Sequence, residues 1–238
     1  MASTYLAVAG ILELAALLAS LGSWQLRRAE ASRVMLAQFQ SGTAADTLAM
    51  LPSELDEARR FSRVEAEGEY VAAPQFLLDN MLRDGVAGYH VLTALRVSGR
   101  RERVLVNRGW VPVGGDRRVL PDVAVGAAWR RVTGRLERLP RPGLSLGDDG
   151  PQAAGSAAAA IVLQYPTAAE LARRLGEPVL DYQLLLDAAE PQGYERDWRA
   201  PGVAPERHLS YAGQWLLLAA GAFAAALVMA VRTVRHGT

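Results

Sequence analysis

Two long apolar segments, one near each end of the chain, stand out in the pattern of hydrophobic and polar residues. Residues 5–26 contain one charged residue, Glu13, and residues 209–231 contain none. A helix rises about 1.5 Å per residue, so each segment can span the roughly 30 Å hydrocarbon core of a bilayer. The pattern therefore predicts two transmembrane helices. A carboxylate is costly at mid-bilayer, so we expect Glu13 to face protein, either the second helix or a proton-transfer or partner contact.

Between these segments the apolar residues alternate with polar ones, as is typical of β-strands. Strands are predicted at 61–67, 75–80, 89–97, 103–111, 131–137 and 179–187. Ser98-Gly99-Arg100 is a tight turn that joins two of them into a hairpin. Successive strands with short turns favour an antiparallel sheet or a small barrel over a parallel α/β arrangement.

The segments around the strands complete the predicted plan of the domain. Residues 29–40 are predicted to continue the first helix as a stalk, before a small-residue linker at 41–52. The residues at 139–160, rich in Pro, Gly and Ala, predict a surface loop. Thr167 and Glu170 have the spacing of a capping box, which predicts a short helix.

Together these elements predict an α+β membrane protein, in which two transmembrane helices flank an antiparallel, β-rich, barrel-like extracytoplasmic domain with a short helix. Two spans place both ends of the chain on one side of the membrane, and Arg232 and Arg235 favour a cytoplasmic carboxyl end. The predicted segments are a transmembrane helix at 5–26, a stalk and linker at 27–57, the extracytoplasmic domain at 58–207, a transmembrane helix at 209–231 and a cytoplasmic tail at 232–238.

Composition excludes several classes of function. The chain has no cysteine, which excludes disulfides, thiolate catalysis, iron–sulfur clusters and thiolate-ligated zinc. Its 26 basic and 25 acidic residues nearly balance, which gives no reason to expect a nucleic acid partner. No glycine-rich phosphate loop or nucleophile elbow occurs. Of the three histidines, His90 lies within a predicted strand, where it either has a structural role or acts as a ligand.

His208 has a different setting, because it immediately precedes the second apolar segment. Tyr211, Gln214 and Trp215 follow it in the first turns of the predicted helix. Tyr211 lies at i+3 and Trp215 at i+7, so both can share a helical face with His208. Tyr and Trp are also enriched at membrane interfaces as anchors. The residues alone leave two interpretations open: an ordinary interfacial belt, or a site in which His208 is a ligand.

Motifs at both helix ends and in the β-rich domain occur together in one order along the chain. They are Leu21-Gly22-Ser23-Trp24-Gln25 with Arg28, Gly68-Glu69-Tyr70, Gly88-Tyr89-His90-Val91-Leu92-Thr93, Asn107-Arg108-Gly109-Trp110, Arg196-Asp197-Trp198, and His208-x-x-Tyr211-Ala212-x-Gln214-Trp215. With these motifs, nearly from end to end, the chain resembles the Surfeit locus protein 1 family, membrane assembly factors for haem–copper cytochrome c oxidase. It departs from the family pattern at Ala31, Ser32, Ala94 and Leu216, and residues 140–165 match poorly.

The resemblance implies a non-enzymatic protein that helps to insert haem a into oxidase subunit I. His208 matches the histidine that is linked to haem a binding in bacterial members. It is the implied metal ligand, and imidazole is a standard axial ligand of haem iron. Tyr211, Gln214 and Trp215 are the cofactor-binding residues expected beside it.

The end of the first helix is expected to supply the opposing wall of the haem pocket. Trp24 and Gln25 lie there, with Arg28 placed to pair with a haem propionate. Without a ligand, Gln25 and Gln214 could instead hydrogen-bond each other. The implied partners are oxidase subunit I, haem a synthase and the lipid bilayer, and the expected location is the bacterial inner membrane. The alternative function is a scaffold that stabilises subunit I without binding haem.

Overall fold

The computed structural model describes residues 2–44, 47, 48, 50–141 and 160–236. In chain order its elements are α1 (Ala2–Ala44), β1 (Arg63–Tyr70), β2 (Gln75–Arg83), β3 (Val86–Val97), β4 (Arg103–Pro112), β5 (Trp129–Arg138), β6 (Ala160–Leu163), α2 (Ala168–Leu175), β7 (Val179–Leu186) and α3 (Pro205–His236). They fall into two compact units, one of residues 1–37 with 200–238 and one of residues 38–199. Most of the loop predicted at 139–160 lies outside the described residues.

The first unit contains most of α1 and all of α3. Both helices are long and apolar enough to cross a membrane, as the sequence predicts. α1 continues through the predicted stalk and ends at Ala44, inside the predicted linker. Glu13 is exposed on α1, so it does not pack against α3, and a contact between Glu13 and a partner stays a prediction.

Small residues recur on the buried face of each helix. A repeat of seven keeps one face of a helix turned towards a neighbour, and small side chains let two backbones approach closely. The approach is direct at Gly22, where an added Cβ would lie 2.7 Å from Leu216 Cγ. The two helices therefore form a close pair. Its buried small residues, each seven apart, are Ala15, Gly22 and Ala29 on α1 and Ala212, Ala219 and Ala226 on α3.

A seven-stranded sheet forms the centre of the second unit. The strand order is β1-β5-β7-β4-β3-β2-β6, and β1 also pairs with β3. That extra pairing closes β1, β5, β7, β4 and β3 into a barrel. β3 pairs with two different strands along one edge: residues 86–92 pair with β2, and residues 95–97 pair with β1. The predicted barrel-like domain between two helices is thus confirmed.

The sheet is mixed, whereas the sequence predicts antiparallel pairing throughout. β4 pairs with β7 in parallel, and β2 pairs with β6 in parallel. β7 reaches its place beside β4 only after the chain has passed through α2, so short turns do not determine this pairing. β6 begins at residue 160, the last residue of the segment predicted to be a loop, and continues into Ile161, Val162 and Leu163.

The short helix α2 begins where the capping box predicts. Thr167 Oγ1 accepts a hydrogen bond from the backbone N–H of Glu170 at 3.2 Å, and Gly176, with a φ of 76°, ends the helix. The Glu170 carboxylate pairs with Arg174 at 2.9 Å. Only one of the two hydrogen bonds of the capping box is therefore formed, because the Glu170 carboxylate pairs with Arg174 instead of the backbone N–H of Thr167.

The main core fills the barrel and takes residues from all five closing strands. Leu136 and Leu184 are fully buried in it. Tyr182 is also fully buried, and its hydroxyl donates to the Pro52 carbonyl at 2.6 Å. A second cluster contains Leu171 of α2, so this helix covers the other side of the sheet.

Candidate functional site

The candidate site lies in the helical unit, where Gln25 of α1 meets His208 of α3. Gln25 follows Gly22 by three residues, so it stays on the buried side of α1. His208 lies one turn into α3, which begins at Pro205. Proline suits a first helical position because its missing N–H would have no intrahelical partner there. His208 Nδ1 and Gln25 Oε1 are 2.8 Å apart, and both side chains are partly buried.

The tautomer of His208 is assigned from this hydrogen bond, in which the Gln25 amide oxygen faces Nδ1. An amide oxygen can only accept, so Nδ1 of His208 must donate. In the neutral ring the lone pair then lies on Nε2. A metal-binding histidine commonly donates its other ring N–H to an oxygen in this way, which holds the ring in one orientation. Gln25 and His208 thus have the arrangement of an oriented ligand.

The aromatic residues near this pair differ in exposure. Trp24 precedes Gln25 and is 48% exposed, and Tyr211 lies one turn after His208 and is 46% exposed. Trp215 is partly buried. The helix pair therefore presents aromatic surface next to the histidine, with one indole set deeper than the other two rings.

Two polar residues expected at the site, Arg28 and Gln214, are exposed. Arg28 has no ion-pair partner among the residues that the structure describes. Gln25 bonds to His208, and among the described residues no hydrogen bond joins it to Gln214, which is exposed, so the alternative of a hydrogen bond between the two glutamines is not found. The guanidinium of Arg28 is available to an anionic group.

The bond between Gln25 and His208 was not predicted from the sequence, because it depends on which faces of the two helices meet. The seven-residue repeat of small residues marks those faces. Gln25 precedes Ala29 by four positions, and His208 precedes Ala212 by four. Residues four apart lie on one helical face, so both polar side chains belong to the buried faces. Placing Gln25 and His208 relative to the small residues of each helix would have predicted that the two side chains meet.

Other arrangements of chemically active groups are not found in the described parts of the chain. No group of three or more His, Cys, Asp or Glu could hold a metal ion there. Asp79 pairs with Arg117 at 3.1 Å, and Asp116 lies 3.8 Å from Arg118. These carboxylates form surface ion pairs with arginines, so they do not combine into an acid–base pair.

Comparison with protein families decides what kind of protein carries this helix pair. The model of the SURF1 family matches residues 12–220, which is most of the chain. The chain belongs to the SURF1 family. The matched region runs from α1 through the sheet domain into α3, and it includes every residue of the candidate site. No individual curated protein matches the chain. The SURF1 match confirms the predicted family, whose members are assembly factors for cytochrome c oxidase.

Proposed function

We propose that this protein serves oxidase assembly by holding haem a as cargo at His208 during delivery to subunit I. The observation that carries the proposal is the 2.8 Å hydrogen bond from His208 Nδ1 to Gln25 Oε1. It leaves Nε2 as the nitrogen with a lone pair, and haem iron takes such an imidazole as an axial ligand. The chain needs no catalytic group for this role, because it carries the haem and does not transform it.

The side chains around His208 suit the rest of a haem molecule. Trp24 and Tyr211 offer exposed aromatic surface to a largely apolar ring system, and Trp215 lies deeper beside them. The guanidinium of Arg28 matches the carboxylate of a propionate group. Gln214 can donate a hydrogen bond to a polar substituent of the cargo.

The proposed location follows from the two membrane helices. Both termini lie in the cytoplasm and the β-rich domain lies in the periplasm, across the bacterial inner membrane. Two spans require the termini to share one side, and Arg232 and Arg235 favour the cytoplasm for that side. The proposed partners are the bilayer, subunit I, which receives the haem, and haem a synthase, which supplies it.

The haem spectrum of purified variants tests the proposal. The full-length protein is produced together with the enzymes of haem a synthesis and purified in detergent. The wild type is expected to carry haem, and His208→Ala is expected to lose it. Gln25→Leu removes only the hydrogen bond that orients the ring, so we expect a 10- to 100-fold weaker haem affinity, on the order seen for such second partners. His236→Gln is the matched control for loss of a histidine.

Two outcomes would count against haem coordination by His208. One is a haem spectrum that His208→Ala leaves unchanged. The other is a haem-free wild type whose co-purification with subunit I survives His208→Ala. The second result would favour the alternative function, a membrane scaffold that stabilises subunit I without binding haem.

A further inference from the structure

A cavity of about 280 Å³ lies in the sheet domain. Three separate parts of this unit form it. They are the last two residues of β2 with Asp84 of the following turn, the facing residues His90 and Trp110 of β3 and β4, and, after β7, Glu195 with the residues at 197–199. The volume suits one long side chain or a small molecule, and it is at the lower end of ordinary ligand pockets.

Two tryptophans give the cavity apolar walls. The indole N–H of Trp110 donates to the Met81 carbonyl at 2.8 Å. The indole N–H of Trp198 donates to the Leu186 carbonyl at 2.8 Å. Because both polar atoms are already bonded to the backbone, the rings contribute apolar surface to the lining, and Trp198 contributes more of it, since Trp110 is only 7% exposed.

His90 contributes a neutral polar group to the same cavity. Its ring meets the ring of Trp198 edge to face, with centroids 5.5 Å apart and an interplanar angle of 84°. The Asn107 amide nitrogen lies 3.3 Å from His90 Nδ1. Burial lowers the pKa of His90 to about 4, so the ring is uncharged at neutral pH.

The lining of the cavity contains more acidic than basic side chains. Arg83 pairs with Glu195 at 2.8 Å, and Arg199 pairs with Asp197 at 2.6 Å. Asp84 is the third carboxylate of the lining; it is close enough to Arg199 to attract it electrostatically, but no described arginine forms a hydrogen bond or ion pair with it. Three carboxylates against two guanidinium groups leave the cavity with one excess negative charge, so a cation is favoured over an anion.

The lining is held in place from outside the cavity. Glu195 and Trp110 exchange two backbone hydrogen bonds, at 2.8 and 3.2 Å. Arg196 donates to the carbonyls of Asp187 at 2.7 Å and Ala188 at 3.0 Å. These bonds fix residues 195–199 against the sheet, so a ligand would not have to order this wall. Such preorganisation lowers the entropic cost of binding.

We propose that this cavity receives an arginine side chain of a partner polypeptide. The aliphatic stem would lie against the indole of Trp198, and the guanidinium would pair with the carboxylate of Asp84. Cation–π attraction to tryptophan and a two-pronged hydrogen bond to a carboxylate are both properties of arginine. A quaternary ammonium headgroup can use the aromatic rings but has no N–H for the carboxylate, so the observations favour the guanidinium.

Titration of the purified full-length protein with N-acetyl-arginine amide tests this site. We expect a saturable change in tryptophan emission in the millimolar range, as is reasonable for one side chain. N-acetyl-leucine amide and tetramethylammonium are expected to bind at least about tenfold more weakly, because neither can pair with Asp84. His208→Ala is expected to leave the titration unchanged, which separates this result from the fate of the haem proposal.

The decisive variant is Asp84→Asn, compared with Asp116→Asn as a control at an exposed aspartate outside the cavity. Asp84 has a φ of 48°, and asparagine tolerates that region as well as aspartate does. The fold should therefore be kept while the charge is lost, and the affinity for the arginine probe should fall about tenfold. Equal binding of the leucine probe, tighter binding of tetramethylammonium, no saturable response, or an unaffected Asp84→Asn variant would each overturn the proposal.

Discussion

Acidification should destabilise the sheet domain through His90. An exposed histidine has a pKa near 6.5, whereas burial lowers the pKa of His90 to about 4. Between these two values the unfolded chain binds a proton that the folded chain does not. The free energy of unfolding therefore falls as pH decreases from about 6.5 to about 4.

The size of the effect follows from the shift. One pKa unit corresponds to about 1.4 kcal/mol, so a difference of about 2.5 units amounts to roughly 3 kcal/mol when the pH has reached 4. At about pH 5 the loss should be about 2 kcal/mol. That is a large part of the 5–15 kcal/mol by which domains are typically stable.

Urea unfolding of the full-length protein in detergent, followed by near-ultraviolet circular dichroism, measures this slope between about pH 7.5 and 5. The range avoids most of the titration of ordinary carboxyl groups. His90→Gln removes the titrating ring, so its unfolding free energy should depend less on pH than that of the wild type. The comparison uses the slope, which is informative even if the substitution itself lowers stability. Equal slopes for the two proteins would refute the reasoning.

Two further predictions concern single contacts in the sheet domain. Tyr182→Phe removes the hydroxyl that donates to the Pro52 carbonyl, and it should lower the free energy of unfolding by about 1 kcal/mol in the same urea assay, because one hydrogen bond is lost. Arg100 Nη1 still donates to that carbonyl at 3.0 Å, so the acceptor keeps one partner. Gly88→Ala would drive a Cβ into the indole of Trp110, so we expect a loss of about 1–3 kcal/mol and a shift in tryptophan emission. Gly114→Ala meets nothing within 4 Å and should be nearly neutral, and an equal loss in both alanine variants would argue against a clash.

The elements that local pattern determines were predictable from the sequence. The two apolar helices are continuous runs, β1 shows the expected alternation of exposed and buried residues, and β3 and β4 are joined by the predicted turn at Gly99. The parallel pairings were not predictable, because they join residues far apart in the chain. Gln75 of β2 lies opposite Ala160 of β6, and nothing in either short segment indicates the other.

The candidate site shows the same division between local and distant information. Trp24, Gln25 and Arg28 could be assigned to one end of a helix, and His208 to the start of another, from position alone. The contact between Gln25 and His208 depends on how far one helix is displaced along the other. That displacement is a property of the packed pair, and it requires the positions of the small residues on both helices.

The small-residue repeat has a consequence for the alignment of α1 and α3. Sliding one helix by seven residues, about 10.5 Å, would again bring small side chains against small side chains. Apolar packing of this kind distinguishes weakly between such alignments. A single polar contact between helices can select one of them, because every other alignment breaks that contact. Gln25 and His208 form such a contact, so the bond that orients the imidazole also selects the alignment of the two membrane helices.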